Sequence, residues 1–200
     1  MNRSYLLAIG AATLLLVNVA ALPVSAASPA SRASAGHKPT PVPRTSGGDI
    51  PDTATYLWFH TRAYSVEYVE GWVRRSLSSG GLRVSDIDSY EMVTMQARPS
   101  QSLAKYVRGP ATLRSFKEYR HFVKKAVTPI SLPAGASMRL SFRALSQPDP
   151  VTGKQVTLAI DRYYISGKHH LAVVTLATPV GVDNVDAFRR IARSFTWIKG

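Results

Sequence analysis

The spacing of apolar and polar positions along this chain changes period several times, and each change marks an element. Ala63 to Val69 alternates bulky and polar side chains, which predicts a half-buried strand. Glu70-Gly71 turns the chain, and Trp72 to about Ser78 predicts a second short strand. Ser79-Gly80-Gly81 supplies the glycines that a hairpin turn uses for positive φ. Leu82 to Asp86 and Glu91 to Ala97 predict another strand pair around Ile87-Asp88-Ser89-Tyr90. In Thr112 to Thr128, Leu113, Phe116, Tyr119, Val123 and Val127 recur at three- and four-residue steps and predict a helix stopped by Pro129. Its opposite face then carries Arg114, Lys117, His121, Lys124 and Lys125. Three long strands follow over Ser137–Leu145, Gln155–Ile165 and His170–Thr178, the last two joined by the turn Ser166-Gly167-Lys168. Asp183 and Asp186 favour a helix start, so Asn184 to Ser194 predicts a final helix that buries Phe188, Ile191, Ala192 and Phe195. Arg189, Arg190 and Arg193 fall toward its C-terminal half, where the helix dipole favours cations. Hairpins with separately arriving helices predict an α+β fold, a largely antiparallel central sheet flanked by helices in an α-β-α sandwich.

The start of the chain has a different texture. Arg3 precedes an apolar run from Leu6 to Leu22 broken only by Thr13 and Asn18, and Pro23-Val-Ser-Ala-Ala27 ends it with small residues. This is the pattern of a secretory signal peptide over residues 1–26, cleaved after Ala26. An uncleaved signal anchor is the alternative, against a run shorter than the roughly 20 apolar residues of a spanning helix. Residues 27–52 are rich in Ser, Ala, Pro and Gly, which predicts a disordered tether. The domain itself is expected over 53–200, secreted or extracytoplasmic and associated with the cell envelope, with no transmembrane helix in the mature chain.

The order of pieces resembles PsbP-like domains, whose superfamily also holds the Ran-binding Mog-type proteins. The resemblance opens at Tyr64-Ser-Val-Glu-Tyr-Val-Glu-Gly-Trp72 and continues through the Gly80-Gly81 hairpin. It is strongest at the tail: Gly153-Lys-Gln-Val-Thr157, Tyr163-Tyr-Ile-Ser-Gly167, Leu171-Ala-Val-Val-Thr-Leu176, Pro179, Asp183-Asn-Val-Asp-Ala-Phe188 and Ile191-Ala-Arg-Ser-Phe-Thr-Trp197. Val69 departs from it, standing where the family usually has proline. The resemblance spans about Tyr56 to Trp197 and implies a non-catalytic accessory domain. Export excludes Ran as a partner, and a role in photosynthesis would need a photosystem nearby.

Composition alters this picture in two ways. The 200 residues contain no cysteine, which excludes disulfides, a thiolate metal site and a cysteine nucleophile. The formal charge is +13, from 25 Lys and Arg against 12 Asp and Glu. Between Arg98 and Arg143 ten basic residues face the single acid Glu118. Such a concentration attracts anionic surfaces, so Arg114, Lys117, His121, Lys124 and Lys125 are candidate residues for binding a polyanion or partner, a solvated face being the alternative.

Catalytic motifs are missing. There is no His-Glu-x-x-His, no Gly-x-Ser-x-Gly and no phosphate-binding Gly-x-x-x-x-Gly-Lys. His169-His170 is the one histidine pair, and neighbours on a strand point to opposite faces, which disfavours a shared ion. Asp86-x-Asp88 with Glu91 lacks the glycine and terminal glutamate of a calcium loop and reads as an acidic turn. Neither cofactor nor metal is expected, and nucleic acid is not expected as a partner. The sequence thus points to an exported, non-catalytic binding or accessory module acting on an unknown envelope protein or anionic polymer. Electrostatic attachment to wall or membrane polymer through the basic 98–143 region is the alternative, and a metal-dependent enzyme at His169 or His170 is the weakest reading.

Overall fold

The computed structural model describes residues 48–117 and 119–198. The signal-peptide reading of 1–26 and the tether up to residue 47 lie outside them. Two antiparallel sheets form the frame. The larger has seven strands in the order β3-β4-β5-β9-β8-β7-β6, and the smaller has the order β1-β2-β10. Their ranges are β1 Tyr56–His60, β2 Tyr64–Val69, β3 Val73–Ser76, β4 Leu82–Asp86 and β5 Ser89–Ala97. The second half of the chain supplies β6 Val123–Leu132, β7 Gly135–Leu145, β8 Thr157–Ser166, β9 His170–Pro179 and β10 Thr196–Trp197. Three helices complete it: α1 Leu103–Arg108, α2 Pro110–Arg114 and α3 Val185–Ser194.

The alternation of side chains along β7, β8 and β9 gives the large sheet two buried faces. On one face Val84, Val93, Tyr163, Ile165, Ala172, Val174 and Leu176 meet Phe188, Ile191 and Ala192 of α3 and Val66 of β2. On the other, Met138, Leu140, Phe142, Leu158, Ile160 and Tyr164 meet Val107 of α1 and Phe116 just beyond α2. The fold is therefore α+β with helices on both faces, as the patterning predicts.

The long central helix is not there, and this corrects the reading of Thr112 to Thr128. Helix α2 ends at Arg114, the chain turns through Phe116, His121 adopts a positive φ of 53°, and β6 begins at Val123. The apolar spacing suits a helix, but the residues serve an aromatic cluster instead. Phe116 stacks on Phe122 at 4.7 Å and meets Phe142 edge-on at 4.9 Å. Leu113, assigned to the buried stripe, is 45% exposed. Beyond it, the β-branched Val123, Val127, Thr128 and Ile130 complete the open edge of β7. Pro129, read as a helix stop, sits inside this edge strand, where a missing donor is tolerated. The edge also carries Lys124, Lys125 and a bulge between Lys124 and Ala126, features that discourage pairing with another chain. Strand β1 and helix α1 are further elements that the patterning does not predict.

The described chain makes tertiary contacts from its first residues. Asn184 accepts from the Ile50 N–H at 2.8 Å and donates to the Gly48 carbonyl at 2.7 Å and to Thr178 Oγ1 at 3.1 Å. Ile50 and Asn184 are both buried. Asn184→Ala should cost about 2 kcal/mol, because it strands the buried Ile50 N–H and removes one of the two donors to the Gly48 carbonyl, leaving it only Ser89 Oγ at 3.0 Å. Urea denaturation would report the loss, and hydrogen exchange at Ile50 should accelerate. Unchanged protection at Ile50 would mean that other contacts hold this segment.

Candidate functional site

Helix α3 crosses the outer half of the large sheet and leaves a cleft of about 430 Å³ between itself and strands β6, β7 and β8. This size is within the range of small-molecule sites, about 300–1,000 Å³. Its floor is apolar: Ile130 and Leu132 from β6, Ala159 from β8, Val182 from the β9–α3 loop, and Val185, Phe188 and Ala192 from α3. Of its six charged lining side chains, five are cations. Arg139 and Arg143 recur at period two on one face of β7, Arg189 and Arg193 recur at i, i+4 on α3, and Lys125 comes from the β6 bulge.

Asp161 of β8 is the one carboxylate in the lining. It accepts a hydrogen bond from Ser141 Oγ, and its other oxygen lies 3.9 Å from Arg139 Nη1. Arg139 Nε is buried and has no hydrogen-bond partner among the described residues. Arg189 pairs with Asp186 at 2.5 Å on the exposed side of α3. Arg143, Arg193 and Lys125 form no ion pair among the described residues. The Tyr163 hydroxyl, also in the lining, is held above the usual tyrosine range by burial, with the charge of Asp161 adding to it. Five cations and one carboxylate thus surround an aliphatic floor.

Arg190 is spent elsewhere. It binds Glu67 with both Nε, at 2.8 Å, and Nη2, at 3.0 Å, and its guanidinium lies 3.9 Å over the Tyr56 ring. That bidentate pair raises its pKa and ties α3 to the small sheet. Adjacent arginines on one helix thus have different roles, because a step of about 100° separates them.

The five residues proposed from the sequence are not gathered on one helix face. Arg114 ends α2, Lys117 follows in the turn, His121 closes the loop, and Lys124 and Lys125 begin β6. All five are exposed, and of them only Lys125 lines the cleft. Arg139, Arg143, Arg189 and Arg193 are missing from that set. Their signal was present as charge at period two on a strand and at i, i+4 on a helix, yet nothing in the sequence shows that the two faces meet.

His169 and His170 are exposed at the turn into β9, and His60 stacks on Trp58 at 5.9 Å. No three His, Asp or Glu side chains converge on a common point among the described residues. Asp86 and Ser89 close a hairpin with Ile87 at a φ of 45°. Glu91 is fully buried on β5 and turned away from that turn, between Val84 and Leu176 of the neighbouring strands. It therefore cannot join Asp86 and Asp88 around an ion. Among the described residues no helix is long and apolar enough to cross a membrane.

No family model matches the sequence, and no curated protein matches it. Solved structures do match. The solution structure of cyanobacterial PsbP from Synechocystis aligns with a TM-score of 0.50 at 15% identity, over 77% of this chain and 98% of that one. LpqN of Mycobacterium tuberculosis, described as involved in cell envelope biogenesis, aligns at 0.44 and 14% identity, over 74% and 93%. A protein of unknown function from Pseudomonas aeruginosa aligns at 0.40 and 13% identity, over 70% and 94%. The fold is PsbP-like; the Mog-type half of the resemblance finds no support among these structures. At such identity the likeness concerns the fold alone, and no residue role comes with it.

Proposed function

We propose, from the premise of a PsbP-like fold that carries a basic cleft, that this chain is an extracytoplasmic, non-catalytic binding module taking an anionic ligand between α3 and β6–β8. The observation that carries the reading is the lining itself, in which Lys125, Arg139, Arg143, Arg189 and Arg193 face a single carboxylate, Asp161. Cations brought together from three elements raise the local potential and draw anions in. The extracytoplasmic setting rests on the signal-peptide pattern of residues 1–26.

The purified protein titrated at low salt with citrate and with inorganic phosphate should show saturable amide shifts at Arg139, Asp161 and Ala192. Arg139→Gln combined with Arg193→Gln should weaken that binding about tenfold. Saturable binding that the double variant leaves intact would overturn the cleft as the site.

A second reading is attachment to an anionic polymer through Arg114, Lys117, His121, Lys124 and Lys125. It is favoured by their exposure and by the absence of any ion pair to them among the described residues. Being at the surface, such attachment should weaken sharply between low salt and 0.15 M, where the screening length is about 8 Å. Shifts at Arg114, Lys117, His121 and Lys124 on adding a polyanion, with Arg139, Asp161 and Ala192 of the cleft silent, would favour it over the cleft.

A further inference from the structure

The cleft is more than a patch of positive charge, and its apolar floor narrows what could occupy it. An inorganic anion would satisfy the arginines and leave Ile130, Leu132, Val182, Val185, Phe188 and Ala192 lining unfilled space. A neutral hydrocarbon would cover those side chains and leave the guanidinium groups unanswered. The segment that leads into the domain is an unsuitable occupant, because residues 27–47 contain Arg32, Lys38 and Arg44 and no acid. Its charge has the same sign as the site.

Resting on the anion-binding reading above, we infer that the ligand is a single-chain anionic amphiphile: an aliphatic chain lying along α3, with a carboxylate or phosphate head held by Arg139 and its neighbouring cations. Guanidinium groups recognise both heads through paired hydrogen bonds. Arg139 is the natural first contact. Its side chain is partly exposed and its pairing to Asp161 is long at 3.9 Å, so an incoming oxygen meets a guanidinium that is only loosely engaged. The aliphatic floor supplies the remainder of the affinity through burial of the chain.

The test varies head and tail separately on the purified protein, with every probe below its micelle-forming concentration. Dodecanoate and dodecyl phosphate supply both parts with different heads. Dodecyl maltoside supplies the tail alone, and acetate and inorganic phosphate supply the head alone. A hexaglutamate peptide stands for an acidic polypeptide. The expected result is that dodecanoate, dodecyl phosphate or both bind at least tenfold more tightly than every control, with methyl shifts at Ile130, Leu132, Val185 and Ala192. Arg139→Gln with Arg193→Gln should remove most of that advantage while leaving the weak binding of dodecyl maltoside unchanged. The ratio of dodecanoate to dodecyl phosphate affinity then tells which head the site prefers. If phosphate, acetate or hexaglutamate binds as tightly as the amphiphiles, the inference fails while the anion-binding reading stands. If dodecyl maltoside binds as tightly as the charged amphiphiles and no simple anion binds, both fail.

Discussion

Arg162→Ala is expected to lower stability by about 3 kcal/mol, among the largest losses for a single substitution in this chain. Arg162 is 7% exposed on β8 and has no carboxylate partner among the described residues. Its guanidinium lies 4.9 Å from the Phe116 ring centre, 5.4 Å from Tyr119 and 5.7 Å from Phe142. Nε donates to Thr175 Oγ1 at 3.1 Å, and Nη2 donates to the Tyr119 hydroxyl at 2.7 Å. Alanine removes the packing and the cation–π attraction together, and it strands the buried Thr175 hydroxyl. It also unties Tyr119, which connects the 115–122 loop to the sheet. Arg162→Met should cost roughly half as much, because it restores the packing without the hydrogen bonds. Urea titrations of both variants decide the matter: a loss below about 0.5 kcal/mol for alanine would mean that the aromatic cluster closes without the arginine.

Glu91 should behave in the opposite way. It is fully buried, and neither carboxylate oxygen has a hydrogen-bond partner among the described residues. Loss of solvent raises its pKa well above the ordinary value of 4.5, so the fold favours the protonated form. The sign follows from linkage. Between the unfolded and folded pKa values the native state binds the extra proton, so stability is fullest below about pH 4.5 and declines as pH rises toward the folded value. The slope contributed by this one group approaches about 1.4 kcal/mol per pH unit. Glu91→Gln should remove that slope while keeping a buried polar group. Glu91→Met should remove both, and at pH 7 it should exceed the wild type by about 1–3 kcal/mol. The measurement is the difference in unfolding free energy between wild type and each variant from pH 4 to pH 8. A difference that does not change with pH would show that Glu91 ionises as freely in the folded protein as in the unfolded chain.

These two residues mark a limit of sequence reading. Arg162 and Glu91 each stand as one polar position within a strand pattern, and nothing local separates them. One is surrounded by aromatic rings and hydroxyl groups brought from the turn after α2, from β7 and from β9. The other lies between Val84 and Leu176 with no donor in reach. Both environments come from strand neighbours that are distant along the chain.

The same distinction runs through the fold. Where the signal was local, it was legible: period-two alternation in β2, β4 and β7, largely apolar runs over β8 and β9, glycines at the Gly80-Gly81 turn, and an amphipathic α3. The N-cap of α3 is Asn184, not Asp183, and its side chain makes no cap bond; Asp183, one residue earlier, accepts from the Val185 N–H at 3.3 Å. It misled between Thr112 and Thr128, where a helical spacing of apolar residues coexisted with β-branched side chains. Tertiary context decided there, because the open edge of β7 offers a full ladder of backbone partners to β6. A lone helix offers only its own hydrogen bonds and a face with nothing to pack on.

The candidate site divides similarly. The sequence by itself determined the excess of positive charge, the absence of cysteine, the export pattern at the start and the α+β layout, since each resides in composition or in short-range periodicity. Only the tertiary structure decided which cations act together. Arg139 and Arg143 on a strand, Arg189 and Arg193 on a helix, and Lys125 at a bulge become one lining because α3 crosses the sheet where β6, β7 and β8 present that face. That crossing is set by the burial of Phe188, Ile191 and Ala192 against the sheet, a long-range packing term that no local pattern encodes.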